Sequence, residues 1–497
     1  MTSPTGMSRR QLLAGMFGVG AAVAVAACER RPADVPVGAA AIAAAEARRP
    51  VSGRVRSLRL RAESADIDLG GRVVRTWTYG GQAPAPAIRV GVGDRVLVAF
   101  DNALPEATSV HWHGLAIRND MDGVPGLTTP EVPAGGSFRF DFVVPDAGTY
   151  WFHPHSGLQL DRGLYAPFIV DDAAAPGRYD HEWVLVLDDW TDGVGPSPDQ
   201  IYAQLTAGSS SSSSDMSGMD MSGMDMGGMD MGGMGAGDVV YPLYLVNGRA
   251  PNDPDRLTAR PGQRVRLRII NAAADTVFTV ALAEHALQVT HTDGFPVVPT
   301  SADAIQLGMG ERYDAIVQLG DGVFPLVAQP LGKPGLARAL FRTGAGAPPA
   351  ATYHPRELTG QVLTAAALRV APGHALPARQ PDQVQDVALS GSMHPYVWTI
   401  NGRTYDHTVP LTIREGQAGR LRIANHTMMP HPLHVHGHTF QLGPAGGNGP
   451  RKDTVLLPAM SAVAVDFAAD NPGRWMVHCH NAYHAQAGMM TRLDYQS

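Results

Sequence analysis

A ten-residue unit recurs three times at domain-sized intervals: Gly93 to Asn102, Gly262 to Asn271 and Gly416 to Asn425. Each copy opens on glycine, alternates apolar with polar residues and ends in asparagine, which reads as a turn feeding a half-buried strand. A period of this size predicts related β domains in tandem and excludes a solenoid of short repeats. Glycine and proline are abundant (56 and 39 of 497 residues) and long amphipathic helical patterns are scarce. The expected fold is therefore all-β.

A second unit closes each repeat. Gly148-Thr149-Tyr150-Trp151-Phe152-His153-Pro154-His155 is matched by Gly473-Arg474-Trp475-Met476-Val477-His478-Cys479-His480. The middle copy, Gly322 to Gln329, has Val327 and Gln329 at the histidine positions. The first unit shows the same contrast. His111 and His113 stand nine and eleven residues after Asn102, and His434 and His436 stand nine and eleven after Asn425. The same offsets from Asn271 reach Val280 and Leu282. The outer copies thus carry two His-x-His pairs each and the middle copy none. On a strand, residues two apart share a face, so four pairs supply eight imidazoles that converge if the outer domains meet. Eight is too many for one ion, since a metal site takes about four protein ligands; a cluster of three coppers fits.

Cys479 stands between two of those histidines, with its side chain on the opposite strand face. A thiolate with two imidazoles and a weak methionine describes an electron-transfer copper site. His484 and Met489 follow at short range, and His431, six residues after Asn425, supplies the second imidazole. The first copy has Thr108, Pro154 and Gln159 at the positions of His431, Cys479 and His484, so it lacks this site.

The formal net charge is -7, which gives no case for nucleic-acid binding. The two cysteines are Cys28 and Cys479; Cys28 lies in the leader, so Cys479 is free for metal. Residues 1–28 read as an export signal, with Arg9-Arg10 before an apolar run from Gln11 to Ala27. The stretch Ser8 to Leu13 resembles a twin-arginine signal, which implies a periplasmic or cell-envelope location. Val25-Ala26-Ala27-Cys28 reads equally as a lipobox, making Cys28 a lipid anchor to the membrane, or as a plain cleavage site. Residues 29–52 are expected to be a tether, and the mature chain a monomer.

The motifs His111-Trp112-His113-Gly114, His153-Pro154-His155, His431-Pro432-Leu433-His434-Val435-His436 and His478-Cys479-His480, with His484 and Met489, resemble those of the multicopper oxidases. The resemblance runs from about residue 53 to the end. It implies three cupredoxin-like Greek-key β-sandwich domains at 53–175, 176–345 and 346–497, the second carrying an insertion at 208–237. It also implies four copper ions: type 1 on His431, Cys479, His484 and axial Met489; type 2 on His111 and His434; and two type 3 ions. One type 3 ion would lie on His113, His153 and His480, the other on His155, His436 and His478. The reaction implied takes single electrons from a small reductant and reduces dioxygen to water. Asp122 matches the family's acid near the type 2 site, and a carboxylate there holds or relays protons. Many bacterial relatives carry a second carboxylate just after the type 1 histidine, where this chain has Ala485.

Between residues 216 and 235, Met216, Met219, Met221, Met224, Met226, Met229, Met231 and Met234 are spaced by Gly, Ser and Asp. Nothing there packs a core, and thioethers are soft ligands suited to Cu(I). Met429 matches a methionine near type 1 in cuprous oxidases, although those relatives carry an acid where this chain has Thr427. Met428, Met460, Met476 and Met490 read as core or surface packing, and His426 and His438 as structural. The expected function is an exported cuprous oxidase serving copper tolerance. A laccase-like phenol or metal oxidase and a non-catalytic copper-binding protein are the alternatives.

Overall fold

The computed structural model describes residues 38–171, 178–208 and 237–497. The leader with Cys28 and the methionine run from Met216 to Met234 lie outside them. The described residues form three β-sandwiches. In each, the strand that ends the ten-residue unit pairs parallel with the strand three before it in the chain. Arg95–Asn102 lies beside Val55–Asp68, Arg264–Asn271 beside His181–Trp190, and Ala418–Asn425 beside Gln383–Met393. The alternation read from the sequence is the burial pattern: Val96, Val98 and Phe100 face inward while Arg95 and Ala99 are exposed. They pack on Trp112, Tyr150, Phe152 and Phe168 of the opposing sheet. The second and third sandwiches share one continuous apolar core.

The terminal asparagine of each unit has the same task three times. Its side-chain oxygen accepts the backbone N–H two residues on, from Leu104, Ala273 and Thr427 at 2.9, 3.0 and 2.9 Å. Its amide donates to backbone carbonyls, among them Val132, Leu307 and Met429. Asparagine offers both a donor and an acceptor on one short arm, so it fixes the loop that leads into the next strand. That strand is His111–His113, Phe278–Leu282 or His431–Val435. In the middle copy Val280, Leu282 and Val327 are fully buried core.

Two expectations change. The expected tether contains a helix at Ala39–Ala47, because its alanines are strong helix formers. It is docked: Glu46 accepts the Val143 N–H at 2.9 Å, and Arg49 donates to Asn471 at 3.1 Å. The boundary expected at 345 also falls short of the last strand of the second sandwich, Val362–Leu363, which pairs with Ala304–Leu307.

The outer sandwiches meet directly. Asn119 of the first donates to the Arg474 carbonyl of the third at 2.6 Å. A side chain at Gly473 would place Cβ 2.3 Å from Asn119 Cγ, so this approach needs glycine.

Candidate metal centre

Strand register divides the histidines between two sites. In the third sandwich Leu433 pairs with Cys479, and His434 with His478. Because faces alternate, His431, Leu433, Val435 and Cys479 turn one way, and Leu433, Val435 and Cys479 join the core. His434, His436, His478 and His480 turn the other way, toward the first sandwich. There His111 pairs with His153. Across the seam His111 stacks on His436 and His113 on His434, both with ring centroids 3.9 Å apart. The eight imidazoles expected to converge do so, and all but the partly buried His155 are buried.

Hydrogen bonds fix which nitrogen each ring turns inward. Nδ1 of His111 donates to the Asp122 carbonyl at 2.8 Å, and Nδ1 of His434 to the Asp453 carbonyl at 2.9 Å. Nδ1 of His153 and of His478 donate to the carbonyls of Pro154 and Cys479 at 2.9 and 2.8 Å. Nδ1 of His436 donates to Asp122 Oδ2 at 3.0 Å. All five leave Nε2 as a lone pair, whereas His113 engages Nε2 with Thr454 Oγ1 at 3.1 Å and turns Nδ1 inward. Inside the cluster the lone pairs confront one another: Nε2 of His436 and of His478 are 3.0 Å apart. His113 Nδ1 lies 3.2 Å from His480 Nε2 and 3.5 Å from His153 Nε2. The Nε2 atoms of His111, His155 and His434 are buried with no hydrogen-bond partner. Orphaned, mutually facing lone pairs are costly unless a cation lies among them. Burial first, and then the neighbouring rings, hold His113, His153, His155, His436, His478 and His480 well below the usual histidine range. Neutral imidazole is the form that binds metal, so the donor set fits copper.

The second site is the sulfur site. Nδ1 of His431 and of His484 are 3.0 Å apart, and Cys479 Sγ lies 3.6 and 3.8 Å from them. Among the described residues Cys479 is the free cysteine, fully buried. Asn481 caps the helix Ala482–Gln486 by accepting the N–H groups of Tyr483 and His484, and so aims His484. Met489, fully buried, is tied in by backbone bonds, its carbonyl accepting from Cys479 at 3.0 Å and its N–H donating to His484 at 2.9 Å. His484 Nε2 donates to Asp238 Oδ2 at 3.0 Å, and His431 Nε2 lies 2.7 Å from Thr427 Oγ1. At His484 burial is outweighed by Asp238 and Cys479, which push the imidazole up to about 10. A cation held between His431, Cys479 and His484 would take the place of that proton. The sites share one stretch of backbone, since Cys479 is bonded to His478 and His480.

Asp122 lies beside the cluster, with Oδ1 3.2 Å from His111 Nδ1. Ala485 lines a cavity of about 70 Å³ beside His155, His478 and His480. Met429 is partly buried against the core and Met476 is core, whereas Met428 and Met460 are 53 and 64 % exposed. His438 is structural, bonded to the His436 carbonyl at 3.0 Å and the Tyr495 hydroxyl at 2.6 Å. Sequence reasoning missed Asp238, Asp453 and Arg312. The local signals were only the acid closing the methionine insertion and the charged run Arg451-Lys452-Asp453.

Three cupredoxin-like sandwiches with a thiolate site and an imidazole cluster between the outer two define a copper oxidase. Family models described as multicopper oxidase match residues 62–175, 181–346 and 377–497. The chain is 50% identical over 432 residues to the multicopper oxidase MmcO of Mycobacterium tuberculosis, covering 87% of this chain and 85% of that protein. It is 26% identical to a copper resistance protein A homolog of Pseudomonas syringae pv. tomato, over 86% of this chain and 90% of that one. The crystal structure of the laccase from Botrytis aclada superposes with a TM-score of 0.72 at 25% identity, covering 90% of this chain and 88% of that one. The chain belongs to the multicopper oxidase family. It is an oxidoreductase with copper cofactors that takes electrons from a reductant and delivers them to dioxygen.

Proposed function

We propose that this oxidase is a cuprous oxidase that converts Cu(I) to Cu(II) outside the cytoplasm and so serves copper tolerance. Four coppers are assigned in this reading. His431, Cys479, His484 and Met489 would hold type 1, and His111 and His434 would hold type 2. His113, His153 and His480 would hold one type 3 ion; His155, His436 and His478 would hold the other. When bound, these ions supply one-electron oxidation at the thiolate site and reduction of dioxygen to water at the cluster. The chain's own part is to orient the rings, exclude bulk water and supply protons. Asp122, in contact with His111 and His436 from inside the seam, is the group placed to hold a proton there. The observation that carries the oxidase reading is the register that puts Cys479 opposite Leu433 and His478 opposite His434. One strand thereby serves both sites.

The choice of Cu(I) as substrate rests on the eight methionines between Met216 and Met234, on Met429 two residues before His431, and on the likeness to a copper resistance protein. Export rests on the twin-arginine pattern at Ser8 to Leu13. The test is oxygen uptake with Cu(I) and, separately, with a bulky phenol, by the intact protein and by a form lacking residues 215–235. Cu(I) oxidation that collapses on deletion while phenol turnover is slow and unchanged supports the proposal. Fast phenol turnover indifferent to the deletion returns it to the laccase reading, which the likeness to the Botrytis enzyme favours.

A further inference from the structure

The cluster has a second carboxylate, placed as the mirror of the first. Asp122 of the first sandwich accepts from His111 through its carbonyl and reaches across the seam to His436 at 3.0 Å. Asp453 of the third accepts from His434 through its carbonyl and reaches across the seam to His113, with Oδ1 3.3 Å from Nε2. Each acid thus holds one ring of its own sandwich by backbone and one ring of the other by side chain. Their surroundings differ. Asp122 Oδ1 is buried without a hydrogen-bond partner. Asp453 is gripped at both oxygens by Arg312 of the second sandwich, at 2.7 and 2.6 Å, and Oδ1 also accepts from Thr454 Oγ1 at 2.8 Å.

Arg312 is fully buried and touches all three sandwiches. Its Nε donates to the Thr149 carbonyl of the first at 3.0 Å, and one Nη to the Gly310 carbonyl of the second at 3.1 Å. Beyond it stands Asp293, 3.5 Å away, which also accepts from Lys452 at 3.1 Å. A planar guanidinium matching both oxygens of one carboxylate fixes that carboxylate's plane as well as its position. Thr454 Oγ1 donates to the carboxylate so fixed and lies 3.1 Å from His113 Nε2, so the orientation is passed to the ring through Thr454 as well as through the 3.3 Å contact with Asp453 itself.

We infer that Arg312, from the sandwich that holds no metal ligand, and Asp453 of the third are a positioning pair, and that their task is to lock His113 with Nε2 outward and Nδ1 toward the cluster. The inference rests on the proposed copper cluster. His113 is the ring whose Nδ1 faces His153 and His480, while the five rings held by carbonyls or by Asp122 turn Nε2 inward. With the other tautomer the ring would present an N–H to its neighbours instead of a lone pair. Outer groups that orient a ligating histidine are worth about 10–100-fold in metal affinity or activity when removed.

Two near-isosteric variants test this: Arg312→Lys, which keeps the charge and loses the fork, and Asp453→Asn, which keeps the shape and loses the charge. The first readout is the nitrogen-15 spectrum of histidine-labelled, metal-free protein, with His113 assigned by its disappearance in His113→Ala. The second is the copper content per chain as copper is titrated in, with the blue band followed alongside. The expected result is a mixed His113 tautomer and cluster copper bound about 10–100-fold more weakly, with the blue band retained. Oxygen uptake should fall in kcat while KM for the reductant holds. A wild-type His113 tautomer in both variants, with unchanged cluster copper, overturns the pair's role. The tautomer is read without metal, so it stands apart from the copper count of the wild-type protein, which decides the proposed cluster.

Discussion

Asp122 belongs to the first sandwich, yet its Oδ2 stands 3.0 Å from Nδ1 of His436 in the third. It is one of two carboxylates, with Asp453 beside His113, that join the two halves of the imidazole cluster. Asp122→Asn keeps the shape and removes the acid. Oxygen uptake is expected to fall by about 10²–10⁴-fold, the usual worth of a positioned acid–base group. Anaerobic bleaching of the blue band by reductant should continue at the wild-type rate, and stopped-flow absorbance compared with an oxygen electrode separates the two.

Cys479 is the ligand that no other residue replaces. Cys479→Ser should abolish the intense thiolate-to-copper absorption and the oxidase activity together, while copper at the eight imidazoles persists. Visible spectra and copper content per chain check this. Retention of the blue colour would remove the thiolate from the site.

Gly310 has φ +84, and a Cβ there would lie 2.9 Å from carbon atoms of both His113 and His480. Gly310→Ala therefore pushes two rings of one proposed type 3 triad and strains the backbone, since non-glycine residues avoid positive φ. The variant should lose cluster copper and oxygen reduction but keep the sulfur site, as read from the blue band and metal analysis.

Asp238 closes the methionine insertion and accepts from His484 Nε2, so it fixes the ring that turns Nδ1 to the thiolate. Asp238→Ala should weaken copper at Cys479 by about 10–100-fold, seen as loss of blue absorption on dialysis against a graded chelator. Asp238→Asn, which still accepts a hydrogen bond, should recover most of that affinity.

His291 offers a pH test away from the metal. Burial, with Arg266 and Arg268 nearby, lowers its imidazole to about 4 against the partial pull of Asp314. Above its ordinary value of 6.5 both folded and unfolded forms are neutral and no stability depends on it. Between 6.5 and about 4 only the unfolded chain takes the proton, so stability is lost as pH falls through that window. At about 1.4 kcal/mol per pH unit the loss totals about 3 kcal/mol. His291→Phe removes it, so the variant's thermal midpoint should gain on wild type as pH drops from about 7.5 toward about 4, a range that spans the titration of a histidine at its ordinary pKa.

The chain alone determined the triplication, the all-β class and which histidines and cysteine come together at the two sites. Periodicity of two and repeat-equivalent spacing are local properties of a strand, so His111, His434 and Cys479 announce themselves wherever the strands go. Ala39–Ala47 was misread because alanine-rich sequence carries no amphipathic pattern, and its docking on Val143 and Asn471 is a tertiary contact. Only the tertiary structure showed that the second sandwich, bare of ligands, reaches the cluster through Arg312, which grips Asp453 of the third. It also brought Asp238 to His484, 246 residues away. Such partners are single charged residues far apart in the chain. No spacing rule links them; what pairs them is the low-dielectric seam, where each buried charge and each ring N–H requires a partner from whichever strand is packed against it.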